Sequence, residues 1–139
     1  MIILDTNVVS DIIGPAPSPT VAAWLGRQPA DDVFVSAVTE AELRYGAEIL
    51  PAGRRRDRLL SEIEDILGRD FAGRILPFGS IAAQAYAAIV AARRAAGRPI
   101  TPFDAQIAAI ARSLGASVAT RDRGGFEGTG VDIIDPWVD

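Results

Sequence analysis

Five short apolar runs alternate along this chain with stretches of helical periodicity, and that alternation constrains the fold more than any other feature. The runs lie at about residues 1–5, 32–36, 74–78, 116–120 and 131–134. Helical patterns fill about 6–12, 20–28, 37–50, 54–69, 80–97 and 102–115. Strands separated by helices pair through crossovers, and the crossover helices cover both faces. The expectation is therefore an α/β fold, a three-layer α/β/α sandwich around a mainly parallel five-stranded sheet with right-handed crossovers. At 139 residues, one domain spanning 1–139 is expected. A chain of that size buries roughly two-thirds of its surface.

In such sheets ligands bind outside the carboxyl ends of the strands. Asp5 stands there, directly after the apolar run Met1–Leu4. A carboxylate at the edge of a core is costly without a partner, so Asp5 is either tied down by hydrogen bonds or kept for chemistry.

Three absences narrow that chemistry. The chain has no histidine, no cysteine and no lysine, and all 14 cations are arginine. Zinc sites built on His or Cys are excluded, as are Ser-His-Asp and Cys-His nucleophiles, P-loops and Schiff-base chemistry. Carboxylate, hydroxyl, amide and guanidinium groups remain, with or without a hard cation. Without cysteine there are no disulfides, which suits a reducing cytoplasm. No apolar run approaches the ~20 residues of a membrane helix, and no basic segment precedes an apolar stretch at the start, so a cytoplasmic protein without a membrane association is expected.

The remaining acids can be sorted by position. Glu42 shares a helical stripe with Val38, Tyr45 and Ile49, which predicts that it faces the core or a cleft wall. A capping box with Thr39 is the other reading, but Ser36 is the better N-cap. Asp104 follows Thr101 and Pro102, an N-cap and a first helical residue, so a capping role fits. It also heads the apolar stripe Ile107, Ala108 and Ala111, and one carboxylate can both cap and ligate. Asp122 follows the run ending at Thr120, a position like that of Asp5. Alone it would be a turn aspartate before Gly124 and Gly125. Asp5, Glu42, Asp104 and Asp122 together can meet at one sheet edge. Clustered carboxylates without His or Cys suit Mg²⁺ or Mn²⁺.

Several stretches in order, "LDTN" at 4–7, "SAVTEAELRYG" at 36–46, "GRILPF" at 73–78, "PITPFDAQIAAIA" at 99–111, "VATRD" at 118–122, "FEG" at 126–128 and "DPW" at 135–137, resemble the PIN-domain family. Within it the likeness is to VapC-like toxins of toxin–antitoxin pairs, in their FitB-like branch. The resemblance implies a Mg²⁺-dependent ribonuclease, with Mn²⁺ also accepted, in which Asp5, Glu42 and Asp104 surround the metal. Thr6, Asn7 and Thr120 would support the first acid. The chain departs at one place. Many VapC-like sequences carry the fourth acid where Gly125 stands, and here Asp122 takes that part.

The net charge of −4 is unusual for an RNA-binding surface, so phosphate contact must be local. Arg121 flanks the proposed site. Arg54, Arg55, Arg56 and Arg58 crowd a helix start, where the dipole disfavours cations; they are read as a contact for RNA or for an acidic partner, or as a solvated face with Arg58 paired to Glu62. Arg93 and Arg94 suit a helix C-terminus and need no function. The resemblance further implies an antitoxin partner and assembly as a homodimer or hetero-oligomer. Val8, Val9, Ile12, Ile13, Val21, Trp24 and Leu25 offer more apolar surface than a small sheet covers, which predicts a docking groove closed on its other side by the hairpin at 37–69.

Three rivals remain. A carboxylate phosphatase would want a second acid at position 7, which is asparagine. A phospho-receiver usually needs a lysine, and there is none. A catalytically silent PIN-fold protein acting through its partner complex is the third.

Overall fold

All five apolar runs form strands, each shorter than its run, in a computed structural model that describes residues 1–139. They are β1 (Ile2–Leu4), β2 (Val33–Ser36), β3 (Ile75–Leu76), β4 (Ser117–Ala119) and β5 (Ile133–Ile134). The sheet order is β3-β2-β1-β4-β5, and every neighbouring pair is parallel. β1 lies at the centre, with Ile2 opposite both Val33 and Ser117.

The helices are α1 (Thr6–Ile13), α2 (Pro19–Gly26), α3 (Ala37–Glu48), α4 (Arg54–Asp65), α5 (Ser80–Ala95), α6 (Pro102–Leu114) and α7 (Arg123–Phe126). The pattern at 54–69 ends in a π turn at Ile66–Asp70. The short α7 and a 3₁₀ turn at Ala30–Asp32 have no periodicity to betray them, being one turn each.

The period-two alternation of strand side chains divides the core. Ile2, Leu4, Val33 and Val35 face one layer, packed by Val8, Val9, Val21, Trp24, Ile63 and Leu67. Ile3 and Val118 face the other, packed by Ile89, Ile107, Ala108, Ile110, Ala111 and Phe126. The supposed excess of apolar surface on α1 and α2 is thereby corrected. Val8, Val9, Ile13, Val21 and Trp24 are buried in the first layer, and only Ile12 and Leu25 stay partly open. A groove does exist between α1, α3 and α4. It is lined by Ile13, Pro15, Leu43, Leu50, Leu59 and Arg55, and measures about 460 Å³. No helix is long and apolar enough to cross a membrane.

Candidate active site

Asp5 leaves the carboxyl end of β1 and becomes the N-cap of α1. Its Oδ1 accepts from the Thr6 backbone N–H at 2.8 Å. Its Oδ2 accepts from the Thr120 hydroxyl at 2.7 Å and from Asn7 Nδ2 at 3.2 Å. Thr120 sits just past β4, the strand paired to β1, which explains how a residue 115 positions away reaches Asp5. The Thr120 hydroxyl oxygen also accepts from Asn7 Nδ2 and from the Asp122 backbone N–H. Asp5 is thus tied down, yet Oδ1 accepts only one bond and keeps a lone pair beyond it.

Glu42 arrives from α3, whose N-cap is Ser36, accepting from the Thr39 N–H at 3.1 Å. Glu42 therefore lies in the second turn and is not held in a capping box. Its Oε1 accepts from the Thr6 hydroxyl at 2.7 Å. That hydroxyl gives its one proton to Glu42, so Thr39 donates across the 3.0 Å contact between the two threonines. The stripe argument that singled out Glu42 fails in part. Tyr45 is 68% and Ile49 63% exposed, while Leu43 and Ala47 turn to the core. Glu42 lies on the flank of the helix, where it can reach the cleft.

Asp104 is the third residue of α6. Thr101 caps that helix, its Oγ1 accepting from the Asp104 N–H at 3.3 Å, and Ile107, Ala108 and Ala111 bury the same face. Asp122 caps α7, its Oδ1 accepting from the Gly125 N–H at 3.0 Å. A Cβ at position 125 would overlap Asp122 Oδ2, lie 2.9 Å from its Cγ and stand 3.2 Å from Asp104 Oδ2. The glycine is what lets these two acids face each other.

The four carboxylates line one cleft of about 410 Å³ with Thr6, Asn7 and Ser10, and no apolar side chain. Ser10 is a polar neighbour that sequence reading passed over, and Thr39, read there only as a possible cap, is another. Both follow from helical spacing, four residues after Thr6 and three before Glu42. Thr6, Ser10 and Glu42 also belong to the groove that holds Arg55 and Arg58, so groove and cleft are continuous. Arg121 is exposed at the rim. Its N–H donates to Asn7 Oδ1 and its guanidinium lies 4.1 Å from the Trp137 ring centre. Arg54 is exposed without an ion pair, and Arg58 pairs with Glu62 at 3.6 Å.

The electrostatics are those of crowded anions. Burial pushes the Asp5 carboxyl from its ordinary 3.8 to about 6, the Thr120 and Thr6 hydrogen bonds oppose that, and Asp104 and Glu42 add to it. Asp104 is also raised, chiefly by burial, against the Thr101 hydrogen bond, with Asp122 and Glu42 adding repulsion and Arg93 relieving it. The donor set is all hard oxygen, which fits a hard divalent cation. No three of the acids form a ready ligand shell in this arrangement. Glu42 is turned to the Thr6 hydroxyl and Asp122 to the Gly125 N–H.

One buried cation contradicts the sequence reading. Arg93, assigned only to a helix dipole, is 6% exposed and donates to backbone carbonyls of the segment after α5, of α7 and of Glu127 just past it.

Comparison with known proteins agrees with this architecture. Residues 2–131 match the PIN domain family. The chain is 42% identical over 137 residues to the VapC ribonuclease Y4jK of Sinorhizobium fredii, covering 99% of this chain and 98% of that protein. It is 42% identical over 139 residues to toxin FitB of Neisseria gonorrhoeae, covering 100% of both. The solved structure of FitAcB from Neisseria gonorrhoeae superposes with a TM-score of 0.93 at 41% identity, covering 100% of both chains. A parallel five-stranded sheet with acids gathered at the end of its central strand, and a match over nearly the whole length, establish that this chain belongs to the PIN-domain family.

Proposed function

We propose that this chain is a Mg²⁺-dependent endoribonuclease, the toxin of a toxin–antitoxin pair, and that Mn²⁺ substitutes for Mg²⁺. The observation that supports this most is the convergence of four carboxylates from four elements on one cleft, in a chain without histidine, cysteine or lysine. The names of its relatives, a ribonuclease and a toxin, agree.

Asp5, Glu42, Asp104 and Asp122 would hold the metal. When bound, the ion offsets the crowded negative charge and supplies an activated water for attack on a phosphodiester. The chain's own residues do the rest. Thr120, Asn7 and the Thr6 N–H fix the Asp5 carboxylate, and the Thr6 hydroxyl fixes Glu42. The Asp122 cap holds that acid opposite Asp104. Arg121, steadied on Trp137, offers guanidinium donors to an RNA phosphate at the rim. Arg55, with Arg54 beside it, provides positive charge along the continuous groove. The partners in this reading are RNA as substrate and a cognate antitoxin, in a homodimer or toxin–antitoxin hetero-oligomer in the cytoplasm.

Labelled RNA incubated with the purified chain, with Mg²⁺ or with chelator, tests the proposal. Cleavage is expected only with the metal, and Asp5→Asn is expected to abolish it while circular dichroism stays native. Metal-independent cleavage, or an Asn variant that cuts at the wild-type rate, would overturn the assignment.

A further inference from the structure

We infer that Arg93, in the last turn of α5, is a positioning residue that locks together the two segments carrying Asp104 and Asp122. The inference rests on the reading of the acid cleft as the working site.

Arg93 is buried, yet none of the ion pairs in the structure includes it. A buried charge is strongly unfavourable unless its hydrogen-bonding capacity is met. Here backbone carbonyls meet it. Nε donates to the Arg98 carbonyl at 2.6 Å, and Nη2 reaches the Pro99 carbonyl at 3.5 Å. Nη1 donates to the Glu127 carbonyl at 2.6 Å and lies 3.3 Å from the carbonyls of Gly124 and Gly125.

The partners fall into two groups. Arg98 and Pro99 begin the short segment that ends at Thr101, the cap that receives the Asp104 N–H. Gly124, Gly125 and Glu127 belong to the turn capped by Asp122. One planar fork therefore spans both segments from behind the cleft. An exposed second tie, Arg98 to Glu127 at 3.2 Å, runs parallel but is open to solvent and contributes little. The opposing force is the mutual repulsion of Asp104 and Asp122 across Gly125. A loose pair of segments would let the two acids drift apart. The fork holds the two segments in register, and its charge relieves the repulsion felt by Asp104.

Lysine cannot replace it, because a single ammonium lacks the fork that spans several carbonyls. Methionine stands in for the aliphatic stem and offers no donor.

Arg93→Met and Arg93→Lys, compared with wild type, test the role by three readouts. The first is Mn²⁺ affinity by electron paramagnetic resonance of free Mn²⁺. The second is amide hydrogen exchange of the metal-free proteins at Asp104 and Gly125. The third is RNA cleavage at saturating Mn²⁺. For Arg93→Met the Mn²⁺ dissociation constant is expected to rise on the order of 10–100-fold, as for supporting residues of metal sites. Exchange at Asp104 and Gly125 should quicken while β1 and β4 stay protected. Arg93→Lys should fall between, and it decides the matter alone if the Met variant does not fold. Variants that melt earlier yet keep wild-type Mn²⁺ affinity and wild-type exchange at both amides would reduce Arg93 to a structural residue and overturn the inference. A wild type that neither binds Mn²⁺ nor cleaves RNA would instead overturn the reading of the cleft.

Discussion

At the scale of single residues, Asp5 and Gly125 make opposite demands on the cleft. Asp5 is a buried acid whose folded-state pKa of about 6 lies above its ordinary 3.8. The folded protein therefore holds a proton that the unfolded chain has already released. Its contribution to stability is full below pH 3.8 and is lost as the pH rises through about 6. Metal-free protein should thus be more stable near pH 5 than near pH 7, with a full span on the order of 3 kcal/mol for this group. Denaturant melts in chelator across that window should show a steeper slope in the wild type than in Asp5→Asn, which loses this titration and keeps only that of the raised Asp104. Gly125 is needed for the opposite reason: it must add nothing. Its missing side chain leaves room for Asp122, so positions 122 and 125 compete for one space. Gly125→Ala should displace the Asp122 carboxylate and weaken Mn²⁺ binding on the order of 10–100-fold. Gly125→Asp should also be harmful while Asp122 remains, yet restore cleavage in an Asp122→Ala background. Isothermal titration with Mn²⁺ and an RNA-cleavage assay on the four proteins check this exchange.

At the scale of elements, Asp5, Asp104 and Asp122 are placed by the beginning of a helix or the end of a strand, and Glu42 by the second turn of α3. The α6 cap shows how firmly. Thr101→Ala removes the acceptor for the Asp104 N–H and should cost about 0.5–2 kcal/mol in a urea melt, with weaker Mn²⁺ binding as a second sign. The Thr101–Pro102–Asp104 pattern made that cap legible beforehand, as the Ser36 cap of α3 was, because caps are local chemistry. The strands were legible as well, since four or five apolar residues between helical patterns have few other uses. Glu42 was found through a faulty premise: Tyr45 and Ile49 point outward, because α3 meets the core through Leu43 and Ala47. Arg93 was misread because its partners are backbone carbonyls, which leave no mark in a sequence. Near a helix C-terminus a solvated arginine and a buried fork look alike on paper. The single turns at 30–32 and 123–126 are shorter than any period and were invisible for that reason.

At the scale of the whole molecule, the proposed toxin carries an exposed acid cleft beside a groove with basic and apolar walls. Such a negative cleft attracts a partner's guanidinium as it would a metal. Induced alone, the wild type should arrest growth, and Asp5→Asn should relieve the arrest while still co-purifying with the neighbouring gene's product. The purified wild-type complex should cleave RNA more slowly than the free chain, measured at equal metal. The sheet order has a further consequence, for the timing of synthesis. β1 is made first and takes the centre, but β4, which completes its hydrogen bonding, follows more than a hundred residues later. Asp5 gains its Thr120 bond only after a loop of that length has closed, and such long-range closure is slow. Until residue 122 has left the ribosome, a nascent chain lacks the fourth acid, and until residue 120 has left it, Asp5 lacks the Thr120 bond. A protein that would attack RNA is thus built on RNA without a working site, kept harmless by the order in which its parts arrive.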